Sequence, residues 1–247
     1  MPLTLRLWLR LCLLLMLSLP ALATRAADPH KLWEITSAQC VPAMQASGTP
    51  GPCAMVDLAR GFVVLKDLVG PAQYLLMPTR RLSGIESPEL LQPDAPNYWA
   101  YAWEQRWRVG AALRRGLRDE QLAVEINSAA ARTQLHLHLH IDCLRRDVAA
   151  SLEAHRNAPL RQWLPWHFEG HRYWLMRLPA DALERDDPFK LAAARSPYAA
   201  QRMAAQSLLL TGSSAEAAGL FLINMPVNFD LQEPGSAEVL MDHDCRW

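Results

Sequence analysis

Residues 136–141 read His-Leu-His-Leu-His-Ile, so three imidazole side chains alternate with three aliphatic ones. Successive side chains of a β-strand point to opposite faces of the sheet. This alternation predicts a strand, running to about Cys143, with all three histidines on one face and the three aliphatic residues on the other. The aliphatic face would be anchored in a core, and the imidazole face would line a pocket.

A row of three histidines has the chemistry that phosphoryl or nucleotidyl transfer needs. A neutral imidazole is a nucleophile near physiological pH, and a protonated one donates hydrogen bonds to phosphate oxygens. The first alternative is a metal site with two neighbouring histidines and a carboxylate or thiolate from elsewhere. All three histidines could hardly share one ion, since the outer two would lie about 13 Å apart along a strand. A purely structural strand is the second alternative, and it is disfavoured because histidine is a poor strand former.

The first 27 residues have the layout of a secretory signal or an N-terminal membrane anchor. Arg6 and Arg10 precede an uncharged, leucine-rich run over residues 11–24, and Ala21-Leu-Ala23 supplies a small-x-small cleavage site. The run is short for a membrane span, which needs about 20 residues. We expect cleavage before Thr24, with retention as an anchor as the alternative, and either outcome exports the rest of the chain.

Four cysteines lie outside this leader, at positions 40, 53, 143 and 245. An even number is typical of an oxidising compartment. Of the three possible pairings we favour Cys40–Cys53, which closes a loop rich in proline and glycine, and Cys143–Cys245, which would hold the C-terminus beside the histidine strand. A thiolate metal site that includes Cys143 is the alternative.

The composition favours a globular protein with a sizeable core. Of the 247 residues 51% are hydrophobic, and 25 basic residues balance 25 acidic ones. With zero formal net charge and no basic stripe, a nucleic acid polymer is not an expected partner.

The hydrophobic periodicity predicts an α+β fold. The expected elements are helices at 28–44, 97–116 and 146–155 and strands at 61–66, 73–77, 122–126 and 136–143. Trp99, Trp103 and Trp107 recur on the second helix, and we expect this stripe to pack on the sheet, with lipid contact as the alternative. From Trp163 a similar order returns, with a strand at 171–178, a helix at 188–206 and strands at 207–211 and 220–224.

The histidine strand resembles the signature of the histidine-triad (HIT) superfamily, with Asp142 where that signature ends on an apolar residue. The flanking sequence is similar to one branch, the bacterial CDP-diacylglycerol pyrophosphatases. The similar stretches are 61–67, 70–71, 73–79, 84–88, 126–128, 132–134, Cys143 and 170–173. The resemblance extends from about Trp33 to Cys245 and is densest between Gly61 and Val148.

This resemblance implies a HIT-like antiparallel sheet with flanking helices. Some HIT proteins fuse two halves in one chain. We therefore predict a catalytic half at 28–158 and a C-terminal α+β extension at 159–247 that is a degenerate second half without the triad. The implied reaction is hydrolysis of the diphosphate bond of CDP-diacylglycerol to CMP and phosphatidate. A broader nucleotide diphosphate hydrolase and a periplasmic zinc- or copper-binding protein using His136 and His138 of the histidine strand with Cys143 remain the alternatives.

The resemblance also implies roles for the three histidines. His138 would attack the α-phosphorus and form a nucleotidyl-imidazole that water hydrolyses, while His136 and His140 would stabilise charge or orient the nucleophile. Since the phosphate leaving group needs little help, we expect no metal and no other cofactor. The candidates for substrate binding are Thr133, Gln134, Asn127, Ser128, Lys66 and Asp67. For Asn127 and Ser128 turn stabilisation is an equal alternative, and for Lys66 and Asp67 it is an exposed strand end.

The expected partners are CDP-diacylglycerol and a membrane surface. Because the similar proteins are held at the inner membrane, we expect the chain at its periplasmic face, or in the periplasm if the leader is cleaved. The sequence leaves a monomer and a homodimer equally open.

Overall fold

The computed structural model describes residues 28–195, 201–214, 218–228, 230 and 233–247. In this part of the chain nine strands form one sheet, in which every neighbouring pair is antiparallel. The strands are β1 (Met55–Asp57), β2 (Phe62–Lys66), β3 (Tyr74–Pro78), β4 (Leu122–Ile126), β5 (Leu139–Cys143), β6 (Trp163–Phe168), β7 (His171–Pro179), β8 (Gln206–Gly212) and β9 (Gly219–Pro226). Their order across the sheet is β1-β2-β3-β5-β4-β8-β9-β7-β6.

The helices are short. They are α1 (Lys31–Glu34), α2 (Val41–Ser47), α3 (Tyr98–Glu104), α4 (Trp107–Leu113), α5 (Arg146–Glu153) and α6 (Pro188–Ala194), and a π-helical stretch (Ile35–Cys40) joins the first two. Among the residues that the structure describes, no helix has the length and apolar character needed to cross a membrane. The α+β class and the large antiparallel sheet are confirmed.

Helices cover both faces of the central strands, which explains why β4 and β8 are buried along their whole length. On one face, Trp99 of α3 and Phe189 of α6 join a large apolar cluster with Leu139 and Ile141 of β5. On the other face, Val148 of α5 packs in a second cluster with apolar residues of β7, β8 and β9. A strand buried on both faces carries near-continuous apolar residues.

The helix predicted at 97–116 is two helices, α3 and α4. The Arg106 guanidinium donates to the Trp103 carbonyl oxygen at 2.7 Å and lies over the Trp103 ring, so it satisfies a carbonyl at the end of α3. Trp99 and Trp103 are buried as predicted, whereas Trp107 is 57% exposed. The prediction of a single packed tryptophan stripe was therefore wrong for its last member.

The histidine strand is shorter than predicted. β5 begins at Leu139, and its pairing with β3 ends at Leu76 opposite Leu139. The physical reason is the side chain of His136, whose ring nitrogens lie 3.2 Å from the Leu82 carbonyl oxygen and 3.1 Å from that of Pro78. The imidazole lies against the Pro78 carbonyl of β3, at the position where backbone pairing between β3 and a longer β5 would continue.

The two parts of the chain share one strand arrangement. In the first part the order is β2-β3-β5-β4, so β5, the later strand of the β4–β5 pair, lies next to β3 of the β2–β3 hairpin. The second part repeats this order as β6-β7-β9-β8, in which β9 lies next to β7. β4 and β8 pair antiparallel, with Val124 opposite Leu210, and so join the two parts into one sheet. β9 corresponds in order to β5 and carries no histidine.

Both predicted disulfides are present. Cys40 is bonded to Cys53, and Cys143 at the end of β5 is bonded to Cys245. The second bridge holds the C-terminal residues against the histidine strand, where the Asp242 amide donates to the Cys143 carbonyl oxygen at 2.9 Å.

The two bridges should differ in their contribution to stability. They close loops of 13 and 102 residues. By loop-closure entropy, replacing Cys143 and Cys245 with alanine should lower the free energy of unfolding by about 5 kcal/mol, and replacing Cys40 and Cys53 should lower it by about 3 kcal/mol. Urea denaturation of the two double variants tests this order, and a larger loss from the shorter loop would contradict it.

Candidate active site

A cavity of about 570 Å³ opens beside the histidines, between the start of α1, the turn after β2 and the C-terminal residues. This volume suits a nucleotide-sized ligand. His138, His140 and five of the six predicted binding residues line it, namely Thr133, Gln134, Asn127, Lys66 and Asp67. Apolar residues, one amide and three further charged residues complete the wall: Leu32, Ile35, Leu65, Leu68, Val69, Leu75, Ala131, Gln73, Lys31, Arg132 and Glu238.

His138 is held as a neutral nucleophile. Its Nδ1 lies 2.6 Å from the carbonyl oxygen of His136, and since a carbonyl can only accept, Nδ1 carries the proton and donates it. The Nε2 atom then carries the lone pair. Burial, together with the neighbouring His140, lowers the pKa of His138 to about 3, so the ring stays unprotonated at physiological pH.

His140 lies beside His138, with 4.9 Å between the ring centroids. Among the described residues neither of its ring nitrogens has a hydrogen-bond partner, and its Nδ1 lies 3.5 Å from Oε1 of Glu238. Burial lowers the pKa of His140, while the carboxylates of Glu238 and Asp67 oppose that shift. A buried imidazole without partners is placed to donate to a ligand in the cavity.

His136 is not on the cavity wall, so the prediction that all three histidines share one face was wrong for it. Its ring is buried between the Pro78 and Leu82 carbonyls and makes an edge contact with Trp33. Burial lowers its pKa to about 4. The residue contributes to the site through its backbone, because its carbonyl oxygen fixes the tautomer of His138.

Three of the predicted binding residues bond nearby backbone groups, and a fourth, Thr133, is exposed. Ser128 is buried and bonds the Pro234 carbonyl and the amides of residues 130 and 131, so the turn interpretation holds for it. Lys66 donates to the Asp67 and Gly70 carbonyls of the β2–β3 turn. Gln134 accepts from the Leu32 amide at 3.1 Å and donates to the Asp28 carbonyl at 2.9 Å, which ties the start of α1 to the site. Thr133 is exposed at the cavity wall.

Arg132 is a cationic wall residue to which sequence reasoning gave no role. Its guanidinium makes a bidentate ion pair with Glu86, with nitrogen–oxygen distances of 2.5 and 2.6 Å. Although burial favours the protonated acid, the hydrogen bonds from Arg132 and Ser83 lower the pKa of Glu86. The pair is therefore ionised, and it fixes the guanidinium beside His138.

The C-terminal residues add two further groups that no local pattern in the sequence indicates. Glu238 accepts from Asn127 Nδ2 at 2.8 Å, and its Oε1 lies 3.4 Å from His243 Nε2. His243 Nδ1 donates to Asp142 at 2.9 Å. Glu125 of β4 is fully buried nearby. Its burial raises its pKa well above the ordinary value, and the charge of Glu238 raises it further.

The metal alternative built on His136, His138 and Cys143 was wrong as a ligand set. Cys143 is in a disulfide, and the His136 nitrogens face backbone carbonyls. A different set of potential ligand atoms, from Glu125, His140 and Glu238, lies within 4.8 Å of one another. Its oxygen and nitrogen donors are of a kind that divalent ions take.

Comparison with known proteins identifies the family of the chain. The family described as CDP-diacylglycerol pyrophosphatase matches residues 27–247. A relative from Yersinia pestis, named CDP-diacylglycerol pyrophosphatase, is 40% identical over 224 residues, which is 90% of this chain and 86% of the relative. The match covers the whole cavity, the histidines and the C-terminal residues. The chain therefore belongs to the CDP-diacylglycerol pyrophosphatase family.

Proposed function

We propose that this cavity is where the chain, as a hydrolase of its family, cleaves the diphosphate bond of CDP-diacylglycerol to CMP and phosphatidate, with His138 as the nucleophile. The observation that carries the proposal is the hydrogen bond from His138 Nδ1 to the His136 carbonyl oxygen. It leaves Nε2 with its lone pair on a buried ring beside His140.

The reaction would proceed by two displacements at one phosphorus. His138 Nε2 attacks the α-phosphorus of the cytidylyl group, the bond to the bridging oxygen breaks, and its electron pair leaves with phosphatidate. Water then attacks the same phosphorus, breaks the phosphorus–nitrogen bond and yields CMP. His140, when protonated, donates to a non-bridging oxygen, and fixed donors of this kind usually provide the largest catalytic contribution.

Different residues of the cavity wall would bind the diphosphate and the sugar of the substrate. Arg132 supplies positive charge for the diphosphate, with Glu86 holding its guanidinium in place. Thr133 supplies a hydroxyl and Asn127 an amide near the phosphates. Asp67 lies at the turn after β2, where it accepts from Gln73 at 2.6 Å, and it would face the sugar of the nucleotide.

We also propose that the mouth of the cavity faces a membrane surface. Leu68 is 99% exposed and Val69 is 45% exposed on the turn at the cavity wall, and Leu135, which is adjacent to Gln134 in the sequence, is 40% exposed. The Leu135 amide donates to the Pro29 carbonyl oxygen at 2.6 Å. The apolar segment 1–27 therefore joins the described chain next to the site, and we propose that it acts as an anchor or signal at the inner membrane.

Residues 159–247 are best explained as a degenerate second half of the sheet. The repeated strand order supports this origin, and the absence of histidine from β9 explains why only one half carries the site. The strand β8 of this half pairs with β4, so the half would support the sheet beside the site and take no part in the chemistry.

Removing the nucleophile should abolish turnover. His138→Ala should reduce kcat to background while the protein stays folded, whereas His140→Ala should lose about 10²–10³-fold, as is typical for one stabilising donor. Product analysis with CDP-diacylglycerol measures both rates, and His167→Ala, an exposed histidine on β6, is the matched control. Equal losses from His138→Ala and His167→Ala would contradict the assignment.

The ionisation state of His138 can be observed directly. Because its pKa is lowered to about 3, the ¹⁵N signals of its ring should remain those of the neutral Nδ1–H tautomer from about pH 8 to about pH 5, whereas an ordinary histidine titrates near 6.5. The charge that unfolding would restore makes the folded state less stable as the pH falls below about 6.5. Titration of the His138 signal near neutral pH would contradict this site geometry.

The membrane-facing surface should matter only for substrate in a bilayer. Leu68→Ser with Val69→Ser should slow hydrolysis of CDP-diacylglycerol in anionic vesicles several-fold and leave the rate on a short-chain, water-soluble analogue nearly unchanged. Leu160→Ser, at a leucine of the second part of the chain that is as exposed as Val69, is the control. A protein that begins at Asp28 should behave normally on the soluble analogue, and equal rates on vesicles for all variants would contradict the proposal.

A further inference from the structure

The C-terminal residues close the site with a chain of four side chains in which carboxyl groups alternate with imidazoles. Asp142 accepts from His243 Nδ1 at 2.9 Å, His243 Nε2 lies 3.4 Å from Glu238 Oε1, and that oxygen lies 3.5 Å from His140 Nδ1. The chain of contacts starts on β5, passes through the C-terminal segment and returns to β5 at His140. Glu238 and His140 are far apart in the sequence, and the fold brings them together.

From this geometry we infer that Glu238 and His243 are positioning residues for the hydrolysis, which set the charge and orientation of His140. The inference rests on the proposed role of His140 as a donor to the phosphate. It assigns to the C-terminal segment a function in the reaction, besides its packing against β5.

Glu238 is fixed so that it can act only through one oxygen. Its Oε2 accepts from Asn127, and its backbone belongs to a 3₁₀ turn (Ala237–Leu240). Oε1 therefore faces both histidines. A carboxylate within ion-pair distance favours the protonated imidazole, so His140 can hold Nδ1–H towards Glu238 and Nε2–H towards a phosphate oxygen.

His243 is placed between Asp142 and Glu238. Its Nδ1 proton is committed to Asp142, and this hydrogen bond raises the pKa of His243. When the ring is protonated, Nε2–H points at Glu238, and when it is neutral two lone pairs face each other there. The arrangement therefore favours an imidazolium between two carboxylates. Glu125, whose Oε2 has no partner among the described residues, lies at the same site, and burial raises its pKa well above the ordinary value.

The Cys143–Cys245 bridge maintains this arrangement. Cys143 follows Asp142 and Cys245 lies two residues after His243, so the bridge fixes both ends of the first contact. The Arg145 amide also donates to the Leu240 carbonyl oxygen at 3.0 Å, which holds the turn that carries Glu238.

The test is the pH dependence of kcat for Glu238→Gln. Charged or titratable groups face His140 from each neighbouring element: Asp67 after β2, Glu125 on β4, His138 just before β5, Asp142 on β5, and Glu238 and His243 in the C-terminal segment. If His140 must be protonated, activity falls as the pH rises through its pKa in the complex. Loss of the Glu238 charge lowers that pKa, so the alkaline limb should move down by about one pH unit, and kcat near neutral pH should fall about tenfold with KM little changed.

Two further variants keep the test decisive. His243→Asn retains a donor for Asp142 but removes the positive charge whose repulsion lowers the pKa of His140, so it should move the limb in the opposite direction, to higher pH. Glu233→Gln makes the same chemical change in the C-terminal segment at a residue that contacts His171 outside the cavity, and it should leave the profile unchanged. If Glu238→Gln does not fold, the His243→Asn profile carries the test alone.

Three results would overturn the inference. The first is an unmoved alkaline limb in folded Glu238→Gln or His243→Asn. The second is an equal shift in Glu233→Gln. The third is a stoichiometric divalent ion in the purified wild-type protein that is lost in Glu238→Gln, because Glu125, His140 and Glu238 would then be metal ligands. Failure of the proposed hydrolysis itself is distinguished by wild-type protein that yields no CMP.

Discussion

The hydrogen bond between the His138 ring and the His136 backbone determines the chemistry of the site. It fixes which nitrogen of His138 carries the proton, and that decides which nitrogen can attack phosphorus. The bond forms only because the chain at His136 is held away from the strand ladder. The His136 ring lies between the backbone carbonyls of Pro78 and Leu82, and the Leu137 amide donates to the Leu82 carbonyl oxygen at 2.8 Å. The outer histidine is thus a structural residue that orients the central one.

The rest of the fold keeps this short segment rigid and dry. β5 is buried along its length between β3 and β4. Beyond β4 the sheet continues into the second part of the chain through β8. Burial disfavours the protonated form of His138, so the nucleophile is available without a separate base. The same burial is unfavourable for carboxylates: it raises the pKa of Glu125 well above the ordinary value, whereas the charge of Glu86 is offset by the paired guanidinium of Arg132.

The sequence predicted the elements whose signal is local. The β2–β3 hairpin, the pairing of the four cysteines and the position of His138 and His140 on one face all follow from period-two alternation, turn residues and cysteine spacing. The break between α3 and α4 was missed because it depends on one arginine that bonds a carbonyl. The role of His136 was missed because side-chain contacts over more than 50 residues replaced the expected ladder. Glu238 and His243 carry no motif, and the Cys143–Cys245 disulfide and long-range hydrogen bonds to the C-terminal segment bring them to the site.

The most direct test of this account is the location of the covalent intermediate. The protein would be mixed with CDP-diacylglycerol, quenched rapidly at alkaline pH to preserve a phosphorus–nitrogen bond, digested, and the peptides analysed by mass spectrometry with fragmentation. The account predicts one cytidylyl group on the peptide that contains residues 136–140, attached to His138. A cytidylyl group on His140 or on a residue outside this stretch, or a phosphatidyl group on the protein, would contradict it.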